Sequence, residues 1–323
     1  MPRLVVLILV LGFTVALTAL ADEPPPVQLG ALVRGFAIPA QGRPDVQAAG
    51  TWRQRFDLDD ANEYGTKAIG SEAILIDGEA AQLSYDLRYG VARDWDLGVF
   101  VPLLMQGGGI LDPIIQDWHR FWGLPNGGRQ RAPNDRYRYV YTRDGRTTLD
   151  VRHGSAAFAD IQFTTGYQLA DRVAARAMFK LPTGSASNLS GNGAAGGAVW
   201  LDGGLPLEHA FRRLTLYASV GYSFNGTGQI LQQQQKTSLP FGSGGIGLEI
   251  TDRCDARFQI YANAPAYKDS QLIPLARVGM PLTVTIRYRV AATSSFSIGF
   301  QEKAIYFASP DFGVHVGVAV DSR

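Results

Sequence analysis

The stretch "DIQFTTGYQLADRVAARAMFKLPTG", residues 160–184, alternates apolar and polar side chains. Ile161, Phe163, Thr165, Tyr167 and Leu169 share one face; Asp160, Gln162, Thr164, Gly166 and Gln168 share the other. After Ala170-Asp171-Arg172 the pattern resumes, with Val173, Ala175, Ala177, Phe179 and Leu181 opposite Arg176 and Lys180. A period of two belongs to β-strands, whose successive Cβ atoms point to opposite faces. Two such runs around a short polar turn predict a β-hairpin.

The same unit recurs along the chain. Strands are expected near 46–57, 71–90, 95–106, 156–169, 173–183, 194–206, 212–225, 240–251, 255–265, 276–290, 295–304 and 311–320, twelve in all. Very short turns alternate with longer segments at 58–70, 107–155, 184–194, 225–240, 266–275 and 304–310. An even strand number with short turns on one side and long loops on the other is the asymmetry of an outer-membrane barrel. A sheet in lipid must close on itself, because an open edge leaves backbone groups without partners. Its outer face must be apolar while its lumen face can be polar, which is the alternation seen. Trp52, Trp95, Tyr167, Tyr222, Phe224 and Tyr288 fall near strand ends, where an interfacial aromatic girdle belongs. A soluble β-sandwich also alternates, but strand length, loop rhythm and aromatic placement oppose it. The expected fold is therefore all-β: an antiparallel up-and-down transmembrane barrel of about twelve strands.

The ends and composition agree. Arg3, the apolar run Leu4–Leu17 and Ala19-Leu20-Ala21 read as a cleaved signal peptide over 1–21. Residues 22–45 are then an N-terminal segment, periplasmic or lumenal, and 46–323 the barrel. Hydrophobic residues make up 46% and charged residues 18% of the 323. Removing Arg3 leaves 29 basic against 29 acidic side chains, which gives no support for nucleic-acid binding. The single cysteine, Cys254, excludes an intramolecular disulfide.

One segment breaks the strand pattern. In "ILDPIIQDWHRFWGLPNGGR", residues 110–129, Ile114, Ile115, Trp118, Phe121 and Trp122 recur at helical spacing. A helix is expected over 112–122, with Asp112 capping its start, Pro113 in its first turn and Gly123 ending it. It belongs to the structured extracellular loop 107–155. Its polar face lacks the cationic character of an interfacial helix, and glycines flank it. It is therefore expected to fold inward and narrow the barrel mouth. Beyond it, "DRYRYVYTRDGRTTLDVRHG" carries the turn signal Asp144-Gly145 and reads as a hairpin that extends the wall or meets lipopolysaccharide phosphates.

Chemistry motifs are sparse. Gly191-Asn192-Gly193-Ala194-Ala195-Gly196 fits a dinucleotide fingerprint, but no helix pattern follows it, so it reads as a glycine-rich loop. His119, His153, His209 and His315 show no metal-ligand spacing, and neither a metal nor a cofactor is expected. In "RHGSAAF", His153 and Ser155 could form a nucleophile and base with Asp150 or Asp160, though same-face neighbours on a strand stand about 6–7 Å apart. The alternation places Arg53, Arg55, Arg88, Arg176, Lys180, Arg257, Arg287, Arg289 and Lys303 toward the lumen, with Asp86, Asp96, Asp160 and Glu249. Such a lumen is either plugged by ion pairs or mildly anion-preferring.

The run "DGEAAQLSYDLRYGVARDWDLGVFVPLLMQGGGILDPIIQDWHRFWGLPNGGR", residues 77–129, resembles a bacterial outer-membrane β-barrel family of unknown function, DUF3187. Asp77-Gly78-Glu79, "LRYG" at 87–90, Pro102, glycines 107–109, "FWGLPNGGR" at 121–129 and "RYVY" at 138–141 carry the resemblance, which continues through "KLPTG" at 180–184 and "DFGVHVGV" at 311–318. "LPTG" before a glycine-rich loop is also similar to outer-membrane transporters of small aromatic or apolar molecules. The resemblance implies a fold and a location in a Gram-negative outer membrane, and brings no site residues. The expected function is a narrow channel for small solutes or a structural envelope protein without catalysis. The alternative is an outer-membrane hydrolase acting on lipid or ester substrates. Expected partners are outer-membrane lipid, lipopolysaccharide, the barrel assembly machinery and a small solute.

Overall fold

A computed structural model describes residues 24–124, 128–209, 212–304 and 308–322; the expected signal peptide over 1–21 and the central residues of the "LPNGGR" turn lie outside them. The strands are β1 (Trp52–Ile69), β2 (Glu72–Ala92), β3 (Trp95–Gly107), β4 (Arg138–Arg143), β5 (Arg146–Val151), β6 (Ala156–Phe158), β7 (Gln162–Ala170), β8 (Val173–Lys180), β9 (Gly196–His209), β10 (Arg212–Asn225), β11 (Ser238–Thr251), β12 (Cys254–Asn263), β13 (Pro281–Ala291), β14 (Ser294–Lys303) and β15 (Phe312–Asp321). Twelve of them close a ring: β1, β2, β3 and β7 to β15, each antiparallel to its neighbours, with Arg53 to Asn62 of β1 pairing back onto β15. The other three are additions at the long-loop end. β6 continues beside β3, and the β4–β5 hairpin pairs with the upper part of β2.

Burial follows the alternation. Phe56, Leu58, Leu83, Leu97, Phe163, Ile286, Ile298 and Val316 stand exposed on the outer wall. Thr283, Thr285 and Arg287 on one strand, and Asp57 and Asp59 on another, are buried inside. Apolar outside and polar inside is the reverse of a soluble protein, and it is what lipid requires. Trp52 pairs with Tyr89 and Trp95 with Tyr167, placing a belt of rings at the short-turn end. No described helix is long and apolar enough to cross a membrane.

Two boundaries differ from the sequence expectation. The first strand begins at Trp52 rather than 46, and all of the expected loop 58–70 except Gly70 is strand, with β1 and β2 paired from Trp52↔Tyr89 to Ile69↔Glu72. The outward positions Asp60 and Asn62 are polar, which hid the strand. They tolerate polarity because a helix covers that part of the wall. This helix, α1 (Leu111–Trp122), ends at Gly123 in the left-handed conformation (φ 66°), with the Leu124 amide donating to the His119 carbonyl at 2.8 Å.

Its start differs from expectation. Asp112 does not cap it; the preceding residue, Ile110, provides no side-chain cap either. Glu79 of β2 does so from the neighbouring wall, accepting from the amides of Ile110 and Leu111, both at 2.8 Å. A carboxylate there meets the positive end of the helix dipole. Asp112 instead receives Asn62, at 3.2 Å, the Asp135 amide, at 3.0 Å, and Arg129.

Candidate functional site

The lumen is not empty. Residues 24–50 enter it, rise along one wall, turn over 31–36 and descend along the opposite wall into β1. On the way up, the Gln259 amide donates to the Pro25 carbonyl at 3.3 Å, the Gln28 amide donates to Gln301 at 2.9 Å, and the Ala31 amide donates to Glu63 at 2.6 Å. Near the top, the Tyr267 hydroxyl donates to the Leu32 carbonyl at 2.6 Å, and the Ala37 amide donates to Asn225 at 2.6 Å. On the way down, the Gly42, Val46 and Gln47 amides donate to Asp202 (3.2 Å), Gln168 (2.8 Å) and Asp96 (2.9 Å). Polar wall residues therefore act as acceptors for a segment that has no sheet of its own. This satisfies its buried amides. A Cβ at Gly90 would collide with the Ala48 carbonyl, so the wall needs glycine where the descending limb touches it.

Nine of the expected lumen residues fall into four groups. Arg176 is buried between Asp202 (2.9 Å) and Asp96 (3.2 Å), and donates to the Arg43 and Asp45 carbonyls at 2.9 and 3.1 Å, so it holds the descending limb. Arg88 lies 3.8 Å from the same Asp96 and 3.6 Å from Asp86, while Lys180 binds Asp160 and the Ala194 carbonyl (2.8 Å). Toward the short-turn end, Arg53 pairs with Asp321 and Arg55 with Asp57, each at 2.5 Å, and Arg257 and Arg287 share Asp255, each at 2.7 Å. Glu249 and Arg289 lie beside the β11–β12 turn, Glu249 opposite Asp255 in register and Arg289 donating to the Asp252 carbonyl at 3.0 Å. The cations are thus held by carboxylates that the sequence reading had not all placed, Asp57, Asp202 and Asp255 among them.

Three cavities follow the ascending limb. One of about 30 Å³ lies between Pro24–Pro26 and Arg55, Arg257 and Arg287. A central one of about 130 Å³ runs from Gln28 and Arg34 to Phe100 and Trp200. A third, about 220 Å³, opens at the long-loop end by Leu32, Glu63, Lys67 and Pro274.

Above the lumen stands a dome. Tyr137, Tyr139 and Tyr141 of the hairpin segment, with Ile74, Ile76, Leu149 and Val151, form one core with Leu32, Val33 and Phe36 of the inner segment and with Tyr267, Leu272 and Leu275. Thus β4 and β5 extend the wall. Gly78 leaves room for the Tyr137 and Tyr139 rings, which a Cβ would meet at 2.8 and 2.9 Å. Burial pushes the Tyr137 phenol up to about 12 and holds that of Tyr139 well above its ordinary value. At the rim, burial opposes ionisation of Glu72. Hydrogen bonds from Tyr141 (2.5 Å), the Gln271 amide (3.1 Å) and Ser270 (3.2 Å) outweigh it and hold its carboxyl below the usual range.

Helix α1 is not in the mouth. It lies on the outer wall, where Leu111 and Ile115 are buried with Phe312, and Trp118 packs on Phe300 and Phe312 with ring centres 5.7 and 5.9 Å apart. Phe312 shares its strand face with outward Val314, Val316 and Val318. Ile114, Phe121 and Trp122 remain exposed, at 52%, 78% and 59%. The expectation of an inward fold is corrected: the flanking glycines permit a fold in either direction, and the apolar outer rim of β14–β15 offered the larger contact.

His153 is exposed, and the Ser155 hydroxyl has no hydrogen-bond partner, so the pair considered for the alternative hydrolase reading is not assembled. A different trio is. The Ser297 hydroxyl lies 2.8 Å from His315 Nε2, and His315 Nδ1 lies 2.8 Å from Asp59. Alternation would have put Ser297, His315 and Asp59 on the lumen face, but only the strand register reveals that they touch. Among the described residues no three His, Cys, Asp or Glu side chains gather as metal ligands.

Residues 29–320 of the chain match the model of a family described as "Protein of unknown function (DUF3187)". The chain belongs to the DUF3187 family. No curated protein matches it. Among solved structures, the COG4313 outer membrane channel from Pseudomonas putida F1 is similar, with 10% identity, a TM-score of 0.54, and coverage of 90% of this chain and 98% of that one. The NanC porin aligns at 10% identity and TM-score 0.44 (83% and 98% covered), and the Ralstonia pickettii toluene transporter TbuX at 10% and 0.40 (94% and 98%). At these identities the first likeness bears on fold alone. This DUF3187 chain is an outer-membrane β-barrel.

Proposed function

We propose that the protein is a narrow, normally constricted channel for small solutes, with its short turns toward the periplasm. One observation carries this reading: the lumen takes two passes of the inner segment and still leaves three cavities in line from one end to the other, of about 30, 130 and 220 Å³. A wall built only for structure would fill its interior with its own side chains, as small barrels do. Here the filling is a separate segment, and its descending limb is held largely by hydrogen bonds to wall side chains. Assembly by the barrel machinery and contact with lipopolysaccharide belong to the same reading. The test is single-channel conductance in planar bilayers, comparing the whole mature chain with one lacking residues 24–47. A small or intermittent conductance that becomes large and steady in the shortened protein is expected. No current from either protein would refute the channel.

Ser297, His315 and Asp59 give the hydrolase reading its own observation, since a carboxylate-oriented imidazole beside a hydroxyl is the arrangement that activates a serine. Labelling by a fluorophosphonate that disappears in Ser297→Ala would favour it. Absence of labelling in the intact protein leaves the trio as interior packing.

A further inference from the structure

The central cavity of about 130 Å³ has a chemistry of its own. Its walls come from both limbs of the inner segment and from β2, β3, β7 and β9. Four guanidinium groups line it, those of Arg34, Arg43, Arg55 and Arg88, against one carboxylate, Asp86. Carboxylates stand beside them: Glu63 at 3.4 Å from Arg34, Asp57 at 2.5 Å from Arg55, and Asp86 at 3.6 Å from Arg88. Arg34 Nη1 and Gln28 Nε2, both in lining residues, are nonetheless buried and make no hydrogen bond. A buried donor without a partner is costly, and it marks a place where an acceptor belongs. Both atoms are donors only, so what they call for is an acceptor. Ile38, Pro39, Phe100 and Trp200 form an apolar, partly aromatic patch of its wall, beside the polar side chains of Gln41, Gln82, Gln162 and Thr164. The volume is close to that of an engineered cavity that takes up benzene, about 150 Å³.

We infer that this cavity is a binding station for a small organic carboxylate with a flat apolar body, its carboxylate received by Arg34 and Gln28 and its ring set against Phe100 and Trp200. This inference rests on the channel reading and names the solute class that the channel would pass. Charge-assisted hydrogen bonds from guanidinium to carboxylate give the site its sign preference. Because both donors belong to the inner segment, an occupied site ties the solute to the part of the molecule that fills the lumen.

The test uses the full mature chain in detergent, with benzoate as probe and benzyl alcohol and benzylamine as neutral and cationic controls of similar shape. Calorimetry should show saturable binding of benzoate at least tenfold tighter than of either control. Arg34→Gln should weaken benzoate at least tenfold, with no change for benzyl alcohol. Gln28→Leu removes the other donor without touching the Arg34–Glu63 pair, and should weaken benzoate severalfold even if Arg34→Gln fails to fold. Equal binding of benzoate and benzyl alcohol, no benzoate binding, or unaltered affinity in a folded Gln28→Leu protein would overturn the inference. Bilayer currents separate this outcome from the larger reading. Chloride conductance without benzoate binding overturns the carboxylate site and keeps the channel, whereas benzoate binding without any current does the reverse.

Discussion

Arg176 shows how much one lumenal side chain can organise. It neutralises two buried carboxylates of the wall and donates to two carbonyls of the descending limb. Arg176→Leu leaves Asp96 and Asp202 buried without that charge and should cost about 3–5 kcal/mol. A clearly lowered temperature for loss of the folded band in heat-modifiability gels would register it; an unchanged temperature would contradict the arrangement. Gly90→Val acts on the same limb by steric means, since its side chain must displace the Ala48 carbonyl. Faster proteolysis within residues 43–50 is expected, with the barrel itself still folded. The inward direction of Arg176 could be read from alternation alone. Its partners could not: Asp96 and Asp202 lie on β3 and β9, and only the order and register of the strands put them on either side of it.

At the scale of elements, α1 teaches the limit of an amphipathic pattern. Its stripe was legible, but the pattern says that an apolar face must be covered, and not by what. Ile115 and Trp118 turned out to meet the outer rim, while Ile114, Phe121 and Trp122 remain exposed beside an apolar wall. Removing residues 110–123 should therefore leave solute permeability unaltered, and brominated lipids should quench Trp122 more strongly than Trp200. A rise in permeability on deletion would return the helix to the mouth. The strand hidden in 58–70 has the same origin: a helix cover lets outward strand positions be polar, so periodicity fails where the cover lies. The dome carries a pH dependence. Glu72 has its folded-state pKa below its ordinary value of 4.5, so the hydrogen bonds it accepts stabilise the dome above that value, and their contribution is lost as pH falls through the lower folded-state value. Protection of the amides in residues 268–276, relative to their intrinsic exchange rates, should fall on acidification below the ordinary glutamate range. Glu72→Gln should remove that pH response.

For the whole molecule, ring closure and the contrast between short turns and long loops were legible in the sequence, because lipid dictates the alternation. Which of its two places the N-terminal segment takes was not. Residues 24–50 have no periodicity of their own, since the amides of Ala31, Ala37, Gly42, Val46 and Gln47 pair with wall side chains and those of Val33, Arg34 and Phe36 with the segment's own turn. Sidedness follows from the short turns: a tag at Asp171 should be protected in intact cells and one at Asn188 should be reached from outside. The opposite labelling would invert the barrel.

The inner segment also has a topological consequence. Both feet of its arch, Pro24–Pro26 and Ala48–Gly50, lie at the short-turn end, the first beside Arg257 and Arg287 and the second against Gly90. The arch is a bight, like a loop of rope pushed into a pipe, and nothing has to be threaded through the far opening. Ring closure and filling are therefore separable events, in either order. A steady pull on either foot would undo the bight one hydrogen bond at a time, as a zip opens, and would not have to shear the whole row at once. Only the crown of the bight, where Leu32, Val33 and Phe36 join the dome's core, would have to let go all together.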